Sequence, residues 1–339
     1  MTNTKVGVIG CGYWGPKLAR NFHGLQGTDL AWVADLRPDR LAHMQELYPE
    51  VRTTKNYKEL LSSDIDAVVV AVPVGLHHAV AMEALRSGKH VLVEKPLAAG
   101  VEAATEIAET ADKLGLIAMV GHTFQYNPAV NAVRDVIASG QLGQVYYINA
   151  TRVNLGLLQP DINVIWDLAP HDISILLHVL GCDPHAVSAQ GEMFVQKIRG
   201  IHEVAYMTLR FPTGILANLR LSWLDPVKIR QITVVGSKKM LVYDDLADNK
   251  VTVFDKGVDV QPYSDTMEEF QASYRHGEEQ VVPVSWQEPL NLECAAFVQS
   301  VRTGSLPVSN AWMGVKVVRV LEMAQKSLLN GGGWEGLSA

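Results

Sequence analysis

Cysteine is scarce in this chain. Only Cys11, Cys182 and Cys294 occur among 339 residues, far apart from one another. They offer neither the paired spacing of a zinc site nor the density of a secreted disulfide scaffold, and they point to a reducing compartment. Basic runs are missing too. The formal net charge is -7 and no stretch gathers lysine and arginine, which argues against a nucleic-acid surface. No segment reaches the roughly 18 uninterrupted apolar residues of a membrane-spanning helix. The opening Met-Thr-Asn-Thr-Lys enters an apolar strand without a signal-like segment, so the expected location is the cytoplasm. Neither H-E-x-x-H nor G-x-S-x-G occurs, so a metal or serine hydrolase has no support and no metal ligand set is expected.

What is present is a globular composition, 48% hydrophobic and 19% charged, with length for about two domains. The first third alternates short apolar runs (Val6–Ile9, Leu30–Ala34, Ala67–Val72, His90–Val93, Ile117–Val120) with helical stretches near Trp14–Phe22, Pro38–Leu47, Leu76–Arg86 and Val101–Leu114. That alternation predicts a parallel sheet covered on both faces. After about Thr123 the pattern changes. A helix over Pro128–Ser139 leads into alternating segments at Val145–Thr151, Ala186–Phe194, Val204–Phe211, Ile215–Trp223 and Gln231–Val235, with turn signals such as Pro212-Thr213-Gly214. These predict a mostly antiparallel sheet, interrupted by a helix from about Pro170 to Leu180. Two helices close the chain, Leu290–Arg302 and Asn310–Leu329. The expected division is α/β throughout, with a dinucleotide-binding domain over 1–123 and a substrate and oligomerisation domain over 124–339. The last helices are free to pack back on the first domain.

The sharpest signal is Gly10-Cys11-Gly12-Tyr13-Trp14-Gly15. It follows an apolar strand, opens a helix, and has an acid, Asp35, twenty positions after its last glycine, as a dinucleotide fingerprint requires. Gly10 permits the turn, Gly12 lets a pyrophosphate approach the backbone, and Gly15 lets helix and strand pack closely. The helix N-terminus then offers free N–H donors and a favourable dipole. Tyr13 and Trp14 lie within the same loop and join the expected cofactor contacts. The alternative is a tight structural turn that binds nothing. Asp35 can accept from ribose hydroxyls and would repel a 2′-phosphate, which favours NAD over NADP, although Arg37 and Arg40 lie near enough to soften that repulsion.

Further candidates fall at strand ends. Val72, Pro73 and His77 follow one strand, and Glu94-Lys95-Pro96 follows another. Lys95 either donates to a substrate oxygen or is simply solvated at a strand end. Asp167 and His171 are four apart and share a face if both are helical. Pro170 belongs in a first turn, which would place His171 near a helix N-terminus, where the dipole keeps its ring neutral. Asp167 would then orient the ring, or else Asp167 or Asp172 merely caps the helix over a packed His171. In His122–Asn127, Gln125 and Asn127 could reach nicotinamide or substrate. Arg152, Asn154 and Asn163, on the first strand of the second domain and the loop after it, are candidate substrate contacts.

Together these patches resemble the Gfo/Idh/MocA family of oxidoreductases over nearly the whole chain. The likeness rests on Gly10-x-Gly12-x-x-Gly15, Pro73-x-x-x-His77, Glu94-Lys95-Pro96 and Asp167-x-x-x-His171. It implies a Rossmann domain followed by a domain with a large open sheet that often mediates homodimers or homotetramers. It further implies hydride transfer between nicotinamide and a secondary alcohol, with Lys95 as the catalytic lysine and Asp167 and His171 on the substrate side. Val74, Ala169-Pro170 and Ser174 depart from the commoner family pattern. The run from Asn163 to Asp172, with Glu288-Pro289-Leu290, is similar to the branch acting at C3 of nucleotide-linked sugars such as UDP-N-acetylhexosamines or hexosaminuronates. Inositol or free-sugar dehydrogenase, NAD-dependent glycosidase and non-catalytic NAD-sensing regulator remain as alternatives.

Overall fold

A computed structural model describes residues 3–260 and 272–337. Two compact units divide the chain: Met1–Asn127 with Gln287–Glu322, and Pro128–Trp286 with Met323–Ala339.

The first unit runs β1 (Thr4–Ile9), α1 (Gly15–Gly24), β2 (Thr28–Ala34), α2 (Pro38–Leu47), β3 (Arg52–Thr54), α3 (Tyr57–Leu61), β4 (Ala67–Val70), α4 (His77–Arg86), β5 (His90–Val93), α5 (Val101–Leu114) and β6 (Ala118–Val120). All six strands are parallel, in the order β3-β2-β1-β4-β5-β6. The order reverses between β1 and β4, so the carboxyl ends of those strands open a crevice where ligands bind in doubly wound sheets. The central strands are buried on both faces: Val68, Val69 and Val70 are wholly enclosed. This is why they read as unbroken apolar runs rather than as alternation.

The second unit begins with α6 (Pro128–Ala138), β7 (Val145–Leu155), α7 (Val164–Leu180), β8 (Ala186–Glu192), β9 (Val204–Arg210), β10 (Leu216–Ser222), β11 (Leu224–Gly236), β12 (Met240–Asp244), β13 (Val251–Val260) and β14 (Ala272–Val281). The last elements are α8 (Pro289–Thr303), α9 (Ala311–Leu329) and the short β15 (Glu335–Gly336). The nine strands from β7 onward order as β14-β13-β12-β11-β7-β10-β9-β8-β15, antiparallel except for the β7–β10 pair. Period-two patterning decides the faces. Ala205, Met207 and Leu209 of β9 and Ala217, Leu219 and Leu221 of β10 are buried, while Tyr206, Arg210, Asn218 and Arg220 are exposed. Helix α7 packs over the apolar face of β9 and β10.

Helix α8 belongs to the first unit. Leu290, Cys294, Phe297 and Val298 enter the core that contains Phe22, Met44 and Met119, and Phe22 meets Phe297 edge-on at 6.2 Å. Ser309 accepts from the Val120 amide at 2.8 Å, and Asn310 bridges Met119, extending the β6 edge. Helix α9 then carries the chain from this unit into the second, where the Ser327 hydroxyl accepts from the Ala189 amide at 2.9 Å.

One expectation is overturned. Helix α7 starts at Val164, not near Pro170, and Pro170 lies inside it. Asn163 nucleates it from upstream: its side-chain oxygen accepts from the amides of Ile165 and Trp166. His171 is therefore in mid-helix, beyond the first turn where the dipole acts, and that argument for a neutral ring falls away.

Candidate active site

The glycine loop at the end of β1 is shaped by its own backbone. Gly10 has φ +97°, and a Cβ there would sit 2.5 Å from the Ala71 carbonyl oxygen. A Cβ on Gly15 would collide with the Gly10 carbonyl. Gly12 differs: it is exposed, and a Cβ would meet nothing within 4 Å. The fold itself demands the outer two glycines, whereas the middle one faces open space that an incoming group would use. Helix α1 begins here with no side-chain cap and no acid in its first turn, so its amides are available to an anion. These residues fit a dinucleotide pyrophosphate. Tyr13 and Trp14 meet edge-on at 5.4 Å, and the Lys17 ammonium lies 3.5 Å from the Tyr13 ring centre, which fixes the rim of the loop.

Asp35, just past β2, bridges back to this loop. Its carboxylate accepts from the Cys11 amide at 2.6 Å and the Arg37 amide at 2.8 Å. The Arg37 guanidinium is paired with Asp39 at 2.6 Å, and is thus drawn away from Asp35.

At the ends of β4 and β5 the sequence-predicted residues separate into two kinds. Val72 is half-buried and Pro73 exposed, as ligand-facing residues would be. His77 is only 2% exposed, and both ring nitrogens meet protein carbonyls, Pro96 at 2.9 Å and Val72 at 2.8 Å. It ties the Val72–Pro73 turn to the Lys95–Pro96 turn rather than presenting a surface to a cofactor. Burial holds its pKa below the usual histidine value. Glu94 turns inward: its side chain accepts from the Lys95 amide at 3.1 Å and lies against Gly121, where a Cβ would be 3.4 Å from it. Desolvation pushes Glu94 up to about 7. Lys95 is half-buried at the carboxyl end of β5.

Beyond β6, His122, Gln125 and Asn127 are all buried. Neither ring nitrogen of His122 has a hydrogen-bond partner among the described residues, and burial, with Lys95 second, pushes its pKa down to about 3. Thr123 donates to Glu293 of α8 at 2.8 Å. Sequence reasoning passed over Glu293, although a signal existed: it falls on the apolar stripe Leu290, Cys294, Phe297, Val298 at helical spacing.

In the second unit, α7 carries Asp167 and His171 one turn apart, both half-buried. Asp167 accepts from the Trp223 indole N–H at 3.1 Å, a contact the sequence did not suggest. Asn154, half-buried near the end of β7, adjoins Gly156, whose amide donates to the Trp223 carbonyl at 3.0 Å. Two expected substrate contacts have other settings. Arg152 is buried and bound by Asp172 through both Nε and a terminal nitrogen, at 2.8 and 2.9 Å. Asn163 spends its oxygen on capping α7, and its amide nitrogen donates to Gln325 at 2.6 Å. Both are positioned to hold α7 in place.

Residues 4–122 match the oxidoreductase family with an NAD-binding Rossmann fold, and residues 130–242 match the C-terminal domain of the GFO/IDH/MocA group. The chain belongs to this family. Among its relatives is a UDP-N-acetylglucosamine 3-dehydrogenase of Acidithiobacillus ferrooxidans, 28% identical over 77% of this chain and 80% of that protein. Another is a myo-inositol 2-dehydrogenase of Thermotoga maritima, 24% identical over 96% of each chain. The solved structure of a UDP-N-acetylglucosamine 3-dehydrogenase from Acidithiobacillus ferrooxidans superposes with a TM-score of 0.81 at 23% identity, covering 97% of this chain and 98% of that one, a likeness of fold. As a member of the GFO/IDH/MocA family the chain is an oxidoreductase with a nicotinamide-dinucleotide site in its first unit. Among the described residues no group of three or more histidine, cysteine or acidic side chains could hold a metal ion, and no helix is long and apolar enough to cross a membrane.

Proposed function

We propose that the protein is an NAD-dependent dehydrogenase of a ring secondary alcohol, and that the alcohol belongs to a nucleotide-linked sugar, oxidised at C3. The loop around Gly12, the carboxylate of Asp35 and the Val72–Pro73 turn would hold the dinucleotide, which supplies the hydride acceptor, or donor in reverse. Asp35 with Arg37 engaged by Asp39 supports NAD over NADP. Lys95 donates a hydrogen bond to the reacting oxygen and stabilises charge as it develops there. An imidazole nitrogen of His171 takes the hydroxyl proton as the C–H bond breaks, and Asp167, braced by Trp223, positions that side chain. Asn127 and Asn154 are the remaining candidates for sugar contacts.

The observation that carries this reading is the open face of Gly12 on the same sheet edge as Lys95, at the carboxyl ends of β1 and β5. The substrate class rests on the relatives' names. A panel of UDP-sugars, cyclitols and free sugars with NAD, followed by NADH absorbance, tests it. Turnover of UDP-N-acetylhexosamines above all others is expected, and turnover confined to inositols would overturn the substrate assignment. Lys95→Ala and His171→Ala are each expected to lower kcat by about 10²- to 10⁴-fold. We also propose a homodimer or homotetramer formed through the open sheet, to be read from light scattering.

A further inference from the structure

Glu293 is 1% exposed, and its Oε1 has no hydrogen-bond partner among the described residues. Its other oxygen accepts one bond, from the Thr123 hydroxyl. No lysine or arginine among the described residues lies within ion-pair distance of it. An ionised carboxylate in that setting would be a buried charge without a counter-ion, which proteins avoid by neutralising the group. A neutral acid there leaves at most one weaker polar group unmatched.

The surroundings favour the same outcome. From the end of β5 come Glu94 and Lys95; from the segment after β6 come His122, Thr123 and Tyr126; from α1 comes Lys17; on α8 itself lies Cys294. The two cations act on Glu94, which also accepts from the Lys95 amide, whereas Glu293 feels Glu94 as a like charge. Two acids whose environments differ in this way titrate apart, and the proton stays on the one without a cation. His122 is fully buried between cationic and apolar neighbours and remains neutral, so it supplies no compensating charge.

We propose that Glu293 is a neutral carboxylic acid in the native protein at physiological pH, and that of the two neighbouring acids Glu94 is the one that ionises. This assignment is independent of which alcohol, if any, the protein oxidises.

The pH dependence of stability tests it without an activity measurement. Burial and Glu94 raise Glu293 well above the ordinary carboxyl range. Below the unfolded value of about 4.3 both states hold the proton. Above it the unfolded chain releases the proton and the folded chain keeps it, so this group's contribution weakens steadily as pH rises through neutrality. Glu293→Gln cannot titrate. Its Tm relative to wild type is therefore expected to climb by several degrees between mildly acidic and mildly alkaline pH. A difference that stays flat, or falls as pH rises, would overturn the assignment. If the variant does not fold, infrared spectra of the wild type decide: a protonated carboxyl band, shifted by ¹³C labelling of glutamate, should persist at mildly alkaline pH, and its absence would overturn the idea. In Glu94→Gln the protonated carboxyl band should persist, because it belongs to Glu293, and its loss would overturn the assignment.

Discussion

At the scale of single residues, the buried charges and imidazoles are the most exacting features. Arg152 and Asp172 are 5% and 2% exposed and satisfy one another in a two-point pair. Asp172→Ala would remove both of these hydrogen bonds from a buried guanidinium, and a loss of about 3–5 kcal/mol is expected in urea denaturation. His122 gives a pH dependence of opposite sign to that of Glu293. Its folded value is depressed to about 3, so the unfolded chain binds a proton first as pH falls below about 6.5. Its contribution is present above that point and is lost progressively on acidification. His122→Phe should flatten the acid limb of a Tm–pH curve, and an unchanged limb would show that the ring is solvated. Asp35→Ser, by removing the carboxylate that would repel a 2′-phosphate, should lower the KM for NADP relative to that for NAD. The placement of the glycine loop, Asp35 and Lys95 at the ends of β1, β2 and β5, and of Asp167 and His171 one turn apart, was legible from the apolar runs and the spacing around them. The partners of Asp167, Arg152 and Asn163 were not, because Trp223, Asp172 and Gln325 depend on tertiary packing that no local pattern encodes.

At the scale of elements, α7 shows what capping does. Pro170 reads as a start signal in the sequence, since proline lacks an N–H and suits a first turn. The Asn163 cap outweighs it and begins the helix upstream, with proline tolerated in the interior. Asn163→Ala should lose about 1 kcal/mol from the cap alone, measured by chemical denaturation, with a further loss from the bond to Gln325. Strands of the first unit were readable as apolar runs because both faces are covered. Strands β12, β13 and β14 went unread. In β13 and β14, Val-Thr-Val-Phe-Asp-Lys-Gly and Arg-His-Gly-Glu-Glu-Gln mix charge and glycine, so the alternation that buries Leu241, Tyr243, Val251 and Val253 is short and fades along the ladder. The short β3 and α3 were missed for lack of length.

At the scale of the whole molecule, the boundary expected after residue 123 divides a chain whose first unit is discontinuous in sequence. Local patterning marks where helices lie but not which core they join; α8 looks the same from sequence whichever unit receives it. Its apolar stripe decides the matter only in three dimensions, against Phe22 and Met119. A chain ending at Trp286 would leave that surface bare, and it should bind a hydrophobic dye and lose near-ultraviolet circular dichroism while keeping much of its far-ultraviolet signal.

The same arrangement imposes an order on synthesis. The first unit to leave the ribosome lacks part of its core until residues 287–322 have followed, while the strands of the second unit emerge in between. A nascent chain halted within β12 should therefore expose its glycine loop and Lys95 turn to protease, although every residue of the loop was translated long before.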